Sequence, residues 1–252
     1  MNTIILIPSK SRLKIKTLEI LKKSKYPVKI VVPESQVSMY GEKHNPENIV
    51  GCPLNGIGTT RWWCKEHYFN DYEFILMIDD DIEELIRVID GKDTIVDINE
   101  LIDEMKTVLT ERDAYFGGIT LCANRFYTKE RVSNNLKYIA GAMQIYRKKE
   151  NADIIKCDYR HFEDYVYNIL YFIRDGIICR WDNVIPKTKN YNPDGGICED
   201  YGSLTIRLQD AEEKATTIIE RFPGLVKKYY KKKSARGPAC VNLRLNGYYK
   251  KI

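Results

Sequence analysis

Apolar runs separated by helical patterns predict an alternation of strands and helices along this chain. Runs at residues 3–7, 28–32 and 74–78 have the length of buried strands. Residues 115–121 and 138–145 have the composition of further strands. This alternation predicts an α/β fold, with a mostly parallel, right-handed central sheet that is flanked by helices.

Apolar residues at helical spacing predict the helices between these strands. The predicted helices cover residues 14–23, 35–40, 57–69, 98–109, 162–173 and 203–222. Asp97 is placed to cap the fourth of them, and Thr59 or Thr60 lies near the start of the third. The last helix is expected to bury Leu204, Leu208, Ala211, Ala215, Ile218 and Phe222. With no internal repeat or linker, residues 1–222 are predicted to form one domain.

Composition is that of a globular protein of the cytoplasm. The 252 residues are 44% hydrophobic and 30% charged, which is ordinary for such proteins. No apolar run approaches the length of a membrane span, and residues 1–7 are too short for a signal sequence. The seven cysteines form no closely spaced pair typical of a metal site, which favours reduced thiols over disulfides or zinc.

Positive charge is concentrated at the end of the chain. Ten Lys and Arg residues, and no Asp or Glu, lie between Arg221 and Ile252, whereas the rest of the chain is acidic on balance. The basic C-terminal segment, residues 223–252, interleaves lysines with tyrosines, a pattern that suits phosphates and exposed bases. Its predicted nucleic-acid contacts are Lys227, Lys228, Lys231, Lys232, Lys233 and Arg236. A solvated lysine face that only aids solubility is the alternative.

The candidate chemistry begins where the run 74–78 meets three consecutive acids, Asp79, Asp80 and Asp81. In open α/β sheets, ligands bind at the carboxyl ends of the strands. Alternate residues of an extended segment point the same way, so Asp79 and Asp81 are expected to share a face. Two carboxylates on one side suit Mg²⁺ or Mn²⁺. The alternative is a solvated acidic turn before a helix at residues 82–88.

Three further features fit a site for a phosphorylated ligand. The loop after the first strand offers Ser9, Lys10 and Arg12 as donors, although a lysine in such a loop is usually only a surface residue. Glycines at 56 and 58 before a helix let backbone amides approach an anion, with Arg61 in the first turn. Finally, Glu163 and Asp164 provide a candidate general base, or are simply acids favoured at a helix start.

In this order the chain resembles the GT-A fold glycosyltransferases. Asp79-Asp80-Asp81 looks like their DxD motif, and Glu163-Asp164 looks like their later acidic motif. The resemblance implies a Rossmann-like GT-A domain with a donor half at about residues 1–114 and an acceptor half at about 115–222. The segment Gly56–Arg61 before the acid-tipped strand is similar to glycosyltransferases associated with TET/JBP-type base hydroxylation.

The resemblance implies transfer of a sugar from a nucleotide-sugar, with uridine diphosphate the expected carrier, to an acceptor hydroxyl. The narrower group is linked to hydroxymethylated pyrimidines of DNA, many of them in phages, which implies 5-hydroxymethylcytosine as acceptor and the host cytoplasm as location. Asp79 and Asp81 are expected to hold Mn²⁺ or Mg²⁺, and Asp164 or Glu163 to be catalytic. The expected donor-binding residues are Pro8, Ser9, Lys10, Arg12, Arg61, Asp79 and Asp80.

One departure concerns the metal. Many GT-A enzymes supply a late histidine as a ligand, but no histidine follows His161 in this chain. Either Asp194, Glu199 or Asp200 takes that place, or water and diphosphate oxygens complete the coordination.

Two other classes stay open, and a third is disfavoured. A sugar-nucleotidyltransferase would also use acidic metal ligands and a glycine-rich loop, although that loop usually follows the first strand directly. A nucleic-acid-binding domain without catalysis would show salt-dependent DNA affinity but no nucleotide-sugar binding. A haloacid-type phosphatase would use the first acid as nucleophile, but this chain has Glu83 where that class usually carries Thr or Val.

Overall fold

The computed structural model describes residues 2–121, 124, 128–188, 203–232 and 239–247. Within these ranges the α-helices are α1 (Thr17–Leu21), α2 (Val37–Gly41), α3 (Ile57–Tyr68), α4 (Ile98–Glu111), α5 (Glu163–Asp175) and α6 (Leu204–Arg221). The strands are β1 (Thr3–Pro8), β2 (Val28–Pro33), β3 (Ile49–Cys52), β4 (Phe74–Ile78), β5 (Ile82–Ile89), β6 (Lys92–Ile95), β7 (Phe116–Ile119), β8 (Val132–Ser133), β9 (Met143–Arg147), β10 (Cys179–Trp181), β11 (Val184–Thr188), β12 (Val226–Lys231) and β13 (Cys240–Leu245).

The central sheet has the strand order β3-β2-β1-β4-β9-β7-β10-β8. Strands β3, β2, β1 and β4 are parallel neighbours, and β10 runs parallel to β7. Strand β9 lies antiparallel between β4 and β7, and β8 is antiparallel to β10. The prediction of a mostly parallel α/β sheet with flanking helices is confirmed.

The core lies on both faces of this sheet. Alternate residues of β1 and β4 enter opposite layers: Leu6 and Met77 join one cluster, and Ile5 and Leu76 join the other. All five residues of β4 are buried. A continuous apolar run is the pattern of a strand that is covered on both sides, so this strand could be recognised from sequence.

Three predicted elements differ from the structure. Helix α1 is shorter than 14–23 because Lys16 N donates to Asp80 O (2.9 Å), which ties the chain before Thr17 to the acidic loop. Residues 138–142 are not a strand, because the side chain of Asn168 bonds both the N–H and the C=O of Ile139 (2.9 Å each). Residues 82–89 form strand β5, so the alternative of a helix after the acids is wrong.

Helix α6 packs the C-terminal hairpin β12–β13 against the domain. Ala211, Ala215, Ile218 and Phe222 are buried as expected, but Leu204 is 55% exposed and Leu208 is only half-buried. In the hairpin, Val226, Val241 and Leu243 are buried in the same cluster as α6. No helix in the described ranges is long and apolar enough to cross a membrane. The five cysteines within those ranges have free thiols.

Candidate active site

The loops after β1 and β4 meet because these strands are parallel neighbours. Asp80 joins the two loops: Ser9 Oγ donates to its Oδ2 (2.6 Å), and Arg12 Nη1 donates to its Oδ1 (2.8 Å). Both Asp80 and Ser9 are buried, and Pro8 ends β1 beneath them. Asp80 therefore fixes the shape of the site and presents little of its carboxylate to a ligand.

The loop after β1 is also held from the side of α2. The Tyr40 hydroxyl accepts from Arg12 N and shares a hydrogen bond with Ser9 Oγ, at 2.9 Å each. Gln36 bonds both the N–H and the hydroxyl of Ser11, also at 2.9 Å. Ser11 has a φ of 55°, in the left-handed region that non-glycine residues rarely adopt. These bonds hold the loop in one shape, with Lys10 half-buried at its turn.

Asp79 and Asp81 remain accessible to solvent, with side chains that are 39% and 36% exposed. Burial of the remaining surface raises the pKa of Asp79 to about 7, an effect that Arg61 opposes and Asp81 and Asp80 reinforce. Burial also raises the pKa of Asp81, and the charge of Asp80 adds to this. Negative charge is thus crowded beside an accessible space, a situation that a bound cation would relieve.

These shifts make a prediction about stability without divalent cations. The folded pKa of Asp79, about 7, exceeds the value of an unfolded Asp, about 3.9. The folded state therefore binds the proton more tightly, so this residue stabilises the fold at low pH, and the contribution is lost as pH rises from about 4 through about 7. Urea denaturation across this range should show the unfolding free energy of the wild type falling relative to Asp79→Asn. If the unfolding free energy of the wild type minus that of Asp79→Asn stays constant or rises with pH, the pKa assigned to Asp79 is contradicted.

Arg61 lies beneath the carboxylates and joins both acidic motifs. It is 2% exposed, whereas the sequence suggested a side chain facing the donor phosphates. Its Nη2 donates to Asp79 Oδ1 (3.2 Å) and Gly141 O (2.8 Å), and its Nη1 donates to Gln144 Oε1 (3.1 Å) and Glu163 Oε1 (3.3 Å). Burial disfavours its charge, but the carboxylates outweigh that effect and raise its pKa. Arg61 is a permanent cation that positions the acids.

The two glycines before Arg61 have different structural roles, one in backbone conformation and one in packing. Gly56, at φ 96°, begins helix α3 in a conformation that side chains rarely adopt. A Cβ on Gly58 would lie 2.5 Å from Tyr159 O and 3.2 Å from Glu163 Cβ. The absence of a side chain at 58 therefore lets the chain before α5 approach α3, which places Glu163 beside Arg61.

Gly58→Ala tests this packing role. The methyl group must push backbone aside, and overpacking of this kind costs about 1–3 kcal/mol, more than the roughly 0.5–1 kcal/mol that Ala gains over Gly within a helix. We expect a lower unfolding free energy by chemical denaturation. The matched control is Gly41→Ala, where the nearest atom to the new Cβ lies at 3.9 Å. Equal stability of the two variants would contradict the packing argument.

Glu163 and Asp164 begin helix α5 after a strained turn. Phe162, at φ 61°, is left-handed, a state that for a bulky residue is an outlier and often marks functional sites. Glu163 is buried against Arg61, while Asp164 is half-buried and accepts from Tyr138 OH and from Tyr165 N (2.9 Å). Burial raises the pKa of both carboxyls, and for Glu163 the charge of Asp164 adds to it. Asp164 is the more accessible of the two carboxylates.

The donor set fits a hard divalent cation only in part. Asp79 and Asp81 offer carboxylate oxygens from one loop, but no group of three or more potential His, Cys, Asp or Glu ligands is present in the part of the chain that the structure describes. His161 is directed to Asp210 on α6, with Nδ1 to Oδ2 at 2.7 Å. Asp194, Glu199 and Asp200 lie outside the described residues. Two protein carboxylates, with the donor supplying further oxygens, match Mg²⁺ or Mn²⁺.

The basic residues of the C-terminal segment do not act alike. Lys227, Lys231 and Lys232 are exposed. Lys228 instead donates to Glu212 Oε1 on α6 (2.6 Å). Lys233 and Arg236 lie outside the described residues. The described lysines of the segment therefore comprise an exposed set and Lys228, which fastens the hairpin to α6.

Several residues of the site were not predicted from the sequence. Gln144 is fully buried within β9, and Gly141 leaves room for the Arg61 guanidinium, which would lie 2.9 Å from an added Cβ. Tyr138 donates to Asp164 from a remote segment, and Tyr40 holds the loop after β1 through Ser9 and Arg12. Only Gln144 gave a signal, as a polar residue within an apolar run.

The sheet thus carries acids at the carboxyl end of β4, and buried Arg61 joins them to the acidic pair that begins α5. The chain belongs to the TET-Associated Glycosyltransferase family, which matches residues 3–195. It is therefore a glycosyltransferase. No curated protein sequence matches the chain.

Solved structures resemble this chain at low sequence identity. The 4-diphosphocytidyl-2C-methyl-D-erythritol synthase of Anaerococcus prevotii has a TM-score of 0.45 at 13% identity, over 84% of this chain and 96% of that chain. A cytidylyltransferase of Leptospira borgpetersenii has 0.43 at 13%, over 88% and 94%. A CMP:2-keto-3-deoxy-manno-octonic acid synthetase complexed with CTP has 0.42 at 10%, over 71% and 89%.

Proposed function

We propose that this glycosyltransferase moves a sugar from a nucleotide-sugar to the hydroxyl of 5-hydroxymethylcytosine in DNA, with a divalent cation bound at Asp79 and Asp81. The observation that carries the proposal is the pair of half-open carboxylates at the end of β4, joined through buried Arg61 to the acidic pair of α5. Arg61 thereby fixes the position of the proposed donor site relative to the proposed base.

The proposed cation site is the solvent-accessible side of Asp79 and Asp81. Mn²⁺ or Mg²⁺ there would neutralise the charge that develops on the departing nucleoside diphosphate. Among the chain's own residues, Arg61 keeps Asp79 oriented from below, and Asp80 holds the loop closed through Arg12 and Ser9. The protein thus supplies oriented, negatively charged carboxylates for the cation.

The loop after β1 provides the remaining donor contacts. Lys10 and Arg12 are the cations closest in sequence to the end of β1, and they offer charge to the diphosphate. Arg12 already contacts Asp80 and Asp81, at 2.8 and 3.4 Å. Uridine diphosphate is the carrier we favour, on the likeness of the two acidic motifs to GT-A enzymes.

Asp164 takes the proton of the acceptor hydroxyl in this proposal. As the hydroxyl oxygen bonds to the anomeric carbon, the bond from that carbon to the diphosphate breaks, and the proton passes to an Asp164 oxygen. A pKa raised by burial makes this carboxylate a stronger base near neutral pH. Tyr138 holds the carboxylate in place through its hydroxyl. Glu163, which is tied to Arg61, supports this arrangement.

A direct experiment combines donor screening with mass spectrometry. The protein is incubated with individual nucleotide-sugars and Mn²⁺, and release of the nucleoside diphosphate is followed. The preferred donor is then supplied with DNA that contains either hydroxymethylcytosine or cytosine. Addition of a sugar mass to the hydroxymethylated DNA alone supports the proposal. Donor turnover with no sugar on either DNA would overturn the proposed acceptor.

A further inference from the structure

The C-terminal hairpin has two faces of different character. Alternate residues of β12 and β13 point to opposite sides. One side faces α6 and carries Val226, Val241 and Leu243, with Lys228 bound to Glu212. The other side, here called the outer face, carries Lys227, Tyr229, Lys231, Cys240, Asn242 and Arg244. It displays no aliphatic side chain and no carboxylate.

The outer face gathers positive charge that the hairpin does not neutralise. Lys227 and Arg244 are direct cross-strand partners, and like charges in that position destabilise a sheet. Lys227, Lys231 and Arg244 are exposed. In the described ranges, no ion pair joins these three residues to an acid. An anion bound between the strands would relieve this repulsion.

An aromatic side chain, that of Tyr229, lies among these cationic residues. Tyr229 is half-buried, and the guanidinium carbon of Arg244 lies 5.2 Å from the centre of its ring. Asn242, its cross-strand partner, adds a side-chain amide. Cations around a flat ring are the elements with which proteins hold single-stranded nucleic acid, since phosphates meet the cations and bases stack on the ring.

The outer face continues to the candidate base through aromatic contacts. Tyr165 OH donates to Asn242 Oδ1 (3.2 Å), and the Tyr165 ring stacks on Tyr138 with centroids 4.3 Å apart. Tyr138 in turn donates to Asp164. These contacts place the outer face close to the carboxylate proposed to activate the acceptor.

We propose that the outer face of the hairpin binds single-stranded DNA and guides one nucleotide to Asp164. The choice of DNA rests on the proposed function. The binding surface itself rests on the paired cations, on Tyr229 and on the proximity to Asp164 that the contacts of Tyr165 establish. The outer face carries only positive charge and no aliphatic side chain. These properties favour DNA, a polyanion, over a protein or a lipid surface as its partner.

Fluorescence anisotropy with a labelled single-stranded DNA tests the surface in the full chain, over a series of salt concentrations. Lys227→Ser/Arg244→Ser should lower the slope of log affinity against log salt by about 0.7 for each phosphate that the variant no longer neutralises. Tyr229→Leu, which keeps an apolar side chain, should weaken binding roughly tenfold with little change of slope. The matched control, Lys43→Ser/Lys92→Ser, removes two exposed cations from elsewhere on the surface.

The outcomes separate this inference from the proposed function. If the outer-face variants bind DNA like the control pair, the surface is overturned, even if the wild type transfers sugar to DNA. If they lose affinity and the control does not, the surface stands, even if no nucleotide-sugar is turned over. Release of nucleoside diphosphate without acceptor reports on the donor site and is measured separately.

Discussion

Replacing Asp164 with Asn is expected to lower kcat for sugar transfer by about 10²–10⁴-fold, the usual contribution of a general base. Asn keeps the size of the side chain and an oxygen that can accept from Tyr138 or from Tyr165 N, so the start of α5 should keep its shape. It cannot take a proton from the acceptor. The loss should therefore appear in kcat, with the KM for the nucleotide-sugar little changed.

The matched control for this variant is Asp158→Asn, the same chemical change at an exposed position six residues earlier. Initial rates at saturating donor, with hydroxymethylated DNA as acceptor, give the comparison. A variant at Asp164 that retains a rate close to that of the control would exclude this residue as the base. Attention would then move to Glu163, which is buried against Arg61.

Asp81→Ala should abolish turnover that depends on the cation, with a loss of roughly 10²-fold or more, since a metal of this kind supplies several kcal/mol of charge stabilisation. Asp81 is half-exposed, and its one contact with Arg12 is long at 3.4 Å. The variant should therefore fold normally. Donor hydrolysis is measured against Mn²⁺ concentration, together with thermal unfolding.

Asp71→Ala is the control for the cation site. It removes an exposed acid that precedes β4, whereas Asp81 follows that strand. Donor hydrolysis in this variant should respond to Mn²⁺ as in the wild type. Unchanged Mn²⁺-dependent turnover in Asp81→Ala would refute the proposed ligand.

Many strands and helices of the fold can be predicted from local sequence patterns. The apolar run at 74–78 is a central strand because a strand that is covered on both faces must be apolar throughout. Asp97 caps α4, as its position suggested, by accepting from Asn99 N and Glu100 N. One acidic motif follows a predicted strand, and the other begins a predicted helix. These signals are short in range and need no knowledge of the tertiary fold.

The remainder depends on contacts between distant segments. Arg61 was expected to face the donor, because a cation in the first turn of a helix often binds an anion. Its burial follows from Gly141, which leaves space for its guanidinium, and from Gln144 and Glu163, which bind it from two distant segments. The hairpin likewise alternates between α6 and solvent, which a run of lysines and tyrosines does not reveal. No local pattern encodes such arrangements.

The most direct test of the central claim is mass spectrometry of hydroxymethylcytosine-containing DNA after incubation with the protein, a nucleotide-sugar and Mn²⁺. The account predicts a mass increase of one sugar per modified base with the wild type and Asp71→Ala, and none with Asp81→Ala or Asp164→Asn. Equal sugar addition by all four proteins, or none by the wild type with any nucleotide-sugar, would contradict it.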